Sequence, residues 1–211
     1  DGSELLLRTF DRAGVRFVPL FTLRDARPTA AADLATSIRD TLLRYGHHAS
    51  ITDVAVQVSA GGLRQLRDTL APANDANLQQ FAQAAGFDVN VPVRRAIDTT
   101  HQSEWHRWQA ARVTAYFNEV AELVRVTEPN RQLLVLLSDL LQSPELEARL
   151  RPAVLGTPSL EASLLTLGLD ATALSRLPGV VVARPQFVSP EVPLVDRAMD
   201  LERNTLAMTL A

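Results

Sequence analysis

Apolar residues recur every three or four positions in several stretches of the chain, which is the spacing of an amphipathic helix. Near the start, Leu6, Phe10 and Ala13 fall on one helical face. The longest stretch of this kind covers residues 104–127, and Pro129 closes it. The pattern therefore predicts helices both before the first apolar run of strand type and between the later ones.

Apolar runs rich in valine, leucine and phenylalanine separate the helical stretches. They predict four strands, at residues 15–23, 53–59, 131–139 and 180–183. The last two runs are continuously apolar, which is typical of strands buried on both faces. Pro19 interrupts the first run, so we expect an edge position or a bulge there. Strands that alternate with helices predict parallel pairing with right-handed crossovers, and hence an α/β fold.

A long connection, at about residues 61–102, follows the second strand. It holds a short amphipathic segment that starts at Asn74 or Asp75 and stops at Gly86. Connections that carry their own small helix are commonly functional, so we expect this one to form the wall of a pocket.

Further short helices are indicated by capping residues. Ser143 and Thr157 each precede a proline, which is a favourable first helical residue. Asp170 is positioned to cap one more helical turn, and residues 193–211 are expected to form a mostly helical tail. The predicted order is αβαβαβαβα.

Composition narrows the function classes. The 211 residues are 46% hydrophobic and 21% charged, which fits one folded domain. No apolar run approaches the roughly 18 to 20 residues of a membrane span. All 21 basic residues are arginines, they are scattered along the chain without forming a basic stripe, and the net charge is −3, so we expect no nucleic-acid partner. The absence of cysteine excludes disulfides and thiolate metal sites.

Two α/β architectures fit the predicted elements, a doubly wound open sheet and a (β/α) barrel. The paired glycines Gly61 and Gly62 lack the spacing of a dinucleotide-binding or phosphate-binding loop, which argues against a nucleotide-binding doubly wound sheet. The wide spacing of the strands would make four of them about half of a barrel.

Three segments carry a family resemblance. They are WHRWQAAR at residues 105–112, DVAVQVS at residues 53–59, and the stretch from LGLD at residue 167 to PGVVVARP ending at residue 185. These segments resemble bacterial family-10-like glycosylhydrolases, which are TIM-type barrels. The resemblance implies an internal segment, about half, of a larger (β/α)8 barrel that binds or hydrolyses a glycan. The alternative is a non-catalytic structural or interaction scaffold that keeps this α/β fold.

In such barrels the chemistry lies at the carboxyl ends of the strands. Glycoside hydrolysis requires two carboxyl groups that flank the scissile bond. The candidate catalytic acids are therefore Asp25 and Asp139 at strand ends, with Glu104 at the start of the long helix. For Asp139 a helix cap or a loop ion pair is the structural alternative.

Substrate-binding candidates follow from the same placement. The indole of Trp105 could stack on an apolar sugar face, although tryptophans one turn apart more often pack against neighbouring elements. The other candidates are polar side chains near the strand ends: Arg24, Gln57, Arg184 and Gln186.

Histidines give little support for a metal. His47 and His48 are adjacent, and adjacent histidines rarely both bind one ion; His101 and His106 are expected on different helix faces. We therefore expect neither a metal nor a cofactor. A half-barrel would leave open sheet edges, so we expect self-association.

Overall fold

The computed structural model describes residues 2–23, 30–86, 97, 101–150 and 159–183. One or more helices separate each strand from the next along the described chain. Their order is α1 (Gly2–Ala13), β1 (Leu20–Leu23), α2 (Ala30–Tyr45), β2 (Val54–Val58), α3 (Ala60–Leu70), α4 (Asp75–Ala85), α5 (Gln102–Thr127), β3 (Leu133–Leu136), α6 (Ser138–Leu141), α7 (Pro144–Leu150), α8 (Leu160–Leu167), α9 (Ala171–Ser175) and β4 (Val180–Ala183).

The four strands form one parallel sheet in the order β1-β2-β3-β4. Val56 in β2 is in register with Phe21 in β1 and Val135 in β3. Neighbouring strands in space are therefore also neighbours in sequence. The predicted α/β class with parallel pairing is confirmed.

One face of the sheet is covered by helices. Val54, Val56 and Val58 alternate along β2 and are fully buried. They belong to one continuous core with residues of α2, α3 and α5, such as Ile38 and Phe117. Burial of this apolar face is the main stabilising term of the fold.

The opposite face is less covered within the described residues. In one row across this face Leu20 is 53% exposed and Val181 is 36% exposed, whereas Leu134 is half-buried and Ala55 is 4% exposed. The predicted burial of the third and fourth strands on both faces therefore fails at β4 and is partial at β3 within the described residues. A continuously apolar run cannot reveal which of its two faces finds a partner.

Two strand boundaries also differ from the sequence prediction. The first strand begins at Leu20, because Pro19 has no N–H to donate to a ladder. The Pro19 carbonyl still accepts a hydrogen bond from the Ala55 backbone at 2.9 Å. Before Pro19, Phe17 forms only an isolated bridge with Ile51. The third strand ends at Leu136, and residues predicted to extend it form α6 instead.

Local capping is largely as predicted. Asn74 caps α4 and Gly86 ends it in the left-handed conformation; Asp170 caps α9. Helix α8 is capped by Ser159, whose hydroxyl accepts from the Ala162 backbone, rather than by Thr157. Thr157 and the tail at residues 193–211 lie outside the described residues.

The region from 61 to 102 contains more helix than the sequence indicated. Gly61 and Gly62 lie inside α3, which runs directly from the end of β2, and α4 follows after a short turn. Where the sequence predicted a long loop as the wall of a pocket, the described residues form the helices α3 and α4 instead.

Polar side chains join the loops at the amino end of the sheet. Arg131 is buried and donates to the carbonyl oxygens of Gly46 at 2.6 Å and Ile51 at 3.2 Å. His48 is buried beside Asp11, with its Nδ1 2.5 Å from a carboxylate oxygen. That contact raises the pKa of His48 and lowers the pKa of Asp11 to about 2.

Candidate functional site

The carboxyl end of β2 leads directly into α3. The Ser59 hydroxyl accepts a hydrogen bond from the Gly62 backbone at 3.0 Å and donates to the Leu23 carbonyl at 3.1 Å. A Cβ on Gly62 would lie 2.1 Å from that same carbonyl oxygen. Glycine is required at this position because β1 and α3 approach each other so closely, and the approach fixes where α3 starts.

Two predicted site residues meet at this end of the sheet. Gln57, the fourth residue of β2, donates from Nε2 to Oδ1 of Asp139 at 2.6 Å. Asp139 is exposed in the first turn of α6, immediately after β3. The bond holds a carboxylate at the carboxyl ends of two neighbouring strands, as the barrel argument expected.

A second carboxylate lines the cleft that contains Asp139. The cleft has a volume of about 340 Å³, and its wall includes Ser59, Asp139 and Glu145. Glu145 accepts a hydrogen bond from Arg64 of α3 at 2.6 Å, and both side chains are 45% exposed. The cleft therefore presents two acids, one bonded to a neutral amide and the other paired with a guanidinium group.

Glu145 also lines a larger cavity of about 810 Å³ between α3, α5, α7 and α8. The wall of this arginine cavity carries four guanidinium groups, from Arg64, Arg67, Arg107 and Arg149. Arg67 is held by the Thr166 carbonyl at 2.6 Å and by Asp68 at 2.8 Å. Among the described lining residues Glu145 is the one carboxylate; it pairs with Arg64, and Asp68 pairs with Arg67, so the wall keeps a net positive charge from Arg107 and Arg149.

The amino end of α5 reinforces this positive charge. Gln102 and Ser103 line the cavity from the first turn of a helix of 26 residues. The N-cap residue, His101, makes no side-chain capping bond, and in that turn the Glu104 carboxylate accepts from its own backbone N–H. A helix amino end beside arginines is a favourable place for an anion.

His106 lines the same cavity and is half-buried. Burial, together with the positive charges of Arg67 and Arg149, lowers the pKa of His106. The imidazole is therefore held neutral next to the guanidinium groups, and an anion in the cavity would reverse that electrostatic effect.

The surroundings of Glu104 do not favour the role of general acid. Its own backbone N–H and the Ser103 hydroxyl lower the pKa of its carboxyl group. A general acid in glycoside hydrolysis needs a raised pKa, which is the opposite direction. Ser103 lines the cavity, whereas Glu104 is not among the lining residues.

Trp105 lies in a small aromatic core outside the cavity wall. It is 7% exposed and packs with Leu78 and Phe81. The Trp108 ring stacks on it at a centroid distance of 5.0 Å, and Phe81 meets it edge to face at 5.2 Å. A sugar would reach this indole only after the aromatic core had opened.

The described structure thus joins Gln57 and Asp139 and places Glu104 and Trp105 elsewhere on α5. The other predicted site residues, Arg24, Asp25, Arg184 and Gln186, lie outside the described residues. Sequence reasoning missed the arginine cavity and Glu145. The one signal in the sequence that pointed to the arginine cavity was the spacing of Arg64 and Arg67, which puts both side chains on one face of α3.

Comparisons with known proteins add no relative. No protein-family model, curated protein or solved structure matches the chain. Among the described helices, none is both long and apolar enough to cross a membrane.

Proposed function

We propose that the arginine cavity binds an anionic ligand, and that the ligand is an acidic glycan. The proposal that the ligand is an anion rests on one observation: four arginines line one cavity beside the amino end of α5. Arginine recognises carboxylate, sulfate and phosphate groups through paired hydrogen bonds. The glycan part rests on the resemblance to family-10-like glycosylhydrolases.

Arg107 and Arg149 are the residues to test first. Both are exposed on the cavity wall, and neither forms a salt bridge with another described residue. Arg67, by contrast, supports the Thr166 carbonyl, so its loss would also disturb the fold.

The experiment compares a uronic-acid oligosaccharide with a neutral one of equal length by isothermal titration calorimetry. We expect the acidic ligand alone to bind, with an affinity that falls as salt rises. Arg107→Gln and Arg149→Gln should each weaken binding about tenfold or more. Arg39→Gln, an exposed arginine on α2, is the control and should bind normally.

Equal binding of the neutral ligand, or normal affinity in both cavity variants, would overturn the proposal. No binding of any saccharide would favour the non-catalytic scaffold.

Hydrolysis is a second candidate, favoured by the presence of Asp139 and Glu145 in one cleft. Two carboxyl groups beside a bound sugar are the minimum that this reaction needs. If the protein hydrolyses an acidic glycan, Asp139→Asn and Glu145→Gln should each abolish turnover while the ligand still binds. Asp25, the other predicted acid at a strand end, belongs in the same set of variants.

The half-barrel and self-association form a further part of the proposal. Strands in sequential parallel order with helices on one face are what half of a TIM-type barrel would look like, with the exposed row on its inner side. Two copies could cover that row, as well as the sheet edges at β1 and β4.

Light scattering tests this arrangement. Val181→Glu places a charge in the exposed row and should shift the protein to monomers. Val126→Glu, at an 80% exposed position at the end of α5, should not. A monomeric unmodified chain at high concentration would contradict self-association.

A further inference from the structure

Three potential metal ligands meet on the far side of the molecule from the arginine cavity. Glu4 of α1 lies beside His47 and His48, which follow α2, and their donor atoms are all within 4.8 Å of one another. Glu4 is half-buried, His47 is exposed and His48 is buried. Adjacent histidines rarely bind one ion together, but the turn after α2 brings these two rings to a centroid distance of 4.3 Å. Two imidazoles and a carboxylate from two parts of the chain therefore lie close together.

The ring of His48 is already oriented for binding. Its Nδ1 lies 2.5 Å from Oδ2 of Asp11, and Oδ1 of Asp11 accepts a hydrogen bond from the Ser50 backbone at 2.7 Å. The carboxylate thus fixes the ring and keeps the Nδ1 proton, so that Nε2 faces Glu4. Metal-binding histidines are commonly held by a carboxylate in this way.

The separations come close to those of a tetrahedral site, and binding needs both the Glu4 carboxylate and the His47 ring to turn. Bonds of about 2.0–2.2 Å place tetrahedral ligands about 3.4 Å apart. Glu4 Oε2 lies 3.2 Å from Nε2 of His48, whereas the 3.9 Å approach to Nε2 of His47 is made by the other oxygen, Oε1, which also pairs with Arg8 at 3.2 Å. The His47 side chain is 63% exposed, so it has room to turn inward.

We propose that Glu4, His47 and His48 bind one Zn²⁺ ion, with Asp11 as a positioning residue and water as the fourth ligand. Imidazole and carboxylate ligands suit this ion. The carboxylates of Glu4 and Asp11 balance its charge once Arg8, which pairs with Glu4 at 3.2 Å and is 65% exposed, has turned to solvent. In the metal-free chain a proton on Nε2 makes the contact with Glu4, and Zn²⁺ would displace that proton to solvent.

The test uses the untagged full chain, stripped of metal with a chelator. Zn²⁺ is titrated by calorimetry, and Co²⁺ is added as a spectroscopic probe. We expect one Zn²⁺ per chain with a Kd of about 1 µM or tighter, and the strong visible absorption of tetrahedral Co²⁺. A dissociation constant weaker than about 100 µM for Zn²⁺ would overturn the proposal.

Variants assign the ligands. His47→Ala removes an exposed side chain, so the protein should fold normally, yet Zn²⁺ affinity should fall by more than about 100-fold. Asp11→Asn should lower it about 10- to 100-fold and alter the Co²⁺ spectrum. Glu4→Gln tests the third ligand and is expected to act like His47→Ala.

A matched control exists in the chain. His101 and Glu104 also approach each other, at 4.0 Å, but no third potential ligand joins them among the described residues. His101→Ala should therefore leave Zn²⁺ affinity unchanged. Unchanged affinity in His47→Ala, or a loss in His101→Ala equal to that in His47→Ala, would refute the assigned site.

Discussion

The two ends of the sheet use the same residue type in opposite ways. At the amino end, the guanidinium group of Arg131 is buried and bonded to loop carbonyls and to Thr127. Near the carboxyl end, Arg107 and Arg149 stand exposed on a cavity wall. An arginine with protein acceptors fixes the fold, whereas one that has no salt bridge among the described residues is available to a ligand.

The topology explains this division. All four strands run in the same direction, so each loop before a strand lies at one end and each loop after a strand at the other. The amino-end loops are tied to one another by Arg131 and His48. At the carboxyl end, α3, α6 and α7 form the smaller cleft, and α3 and α7 form the arginine cavity together with α5 and α8. Parallel α/β proteins commonly separate stability and binding in this manner.

The largest effect should come from Arg131→Met. The change removes three hydrogen bonds and leaves the carbonyls of Gly46 and Ile51 without this donor. We expect the free energy of unfolding to drop by about 3 kcal/mol, measured by urea denaturation. The exposed control Arg39→Met should change it by less than about 0.5 kcal/mol. Equal stability of the two variants would contradict a structural role for the amino end.

A smaller loss is expected for Gly62→Ala at the other end. The new Cβ would overlap the Leu23 carbonyl, so α3 must move away from β1. Overpacking of this kind costs about 2 kcal/mol, and thermal unfolding would report it. Gly2→Ala is the matched control, because a Cβ there meets nothing within 4 Å. A stable Gly62→Ala protein would show that the contact between α3 and β1 adapts.

Local features of the fold were predictable from sequence. The caps at Asn74 and Asp170 and the stop at Gly86 depend on a few neighbouring residues, and all three occur. Parallel strand pairing followed from the alternation of strands and helices. The partial cover of one face of the sheet could not be predicted, since Leu20 and Val181 look like core residues until their neighbours are known.

The candidate site was harder to predict, because it is a tertiary feature. Arg64 and Arg107 are 43 positions apart in sequence, and single arginines on separate helices show no cluster until the helices pack. Asp139 was found because strand ends can be predicted. Glu145 was missed because it belongs to a short helix beyond the strand end.

The double variant Arg107→Gln/Arg149→Gln sharpens the contrast with Arg131. Neither side chain forms a salt bridge within the described residues, so their removal should change the free energy of unfolding by less than about 0.5 kcal/mol. Urea denaturation of the double variant and of Arg131→Met under the same conditions measures the difference. A loss as large as that of Arg131→Met would mean that the cavity arginines also hold the fold together.

The smallest effect concerns pH at His106. The pKa of His106 in the folded chain lies below its ordinary value of 6.5. As pH falls below about 6.5, His106 is therefore protonated in the unfolded chain before it is protonated in the folded chain. The free energy of unfolding declines as a result. An anion in the cavity offsets Arg67 and Arg149 and should raise that pKa, so binding should take up a proton. NMR titration of the His106 ring, with and without the uronic-acid oligosaccharide, measures both values. His106→Gln should remove the contribution of this residue to the pH dependence of stability. An unchanged pKa of His106 with ligand bound would place the anion away from this side chain.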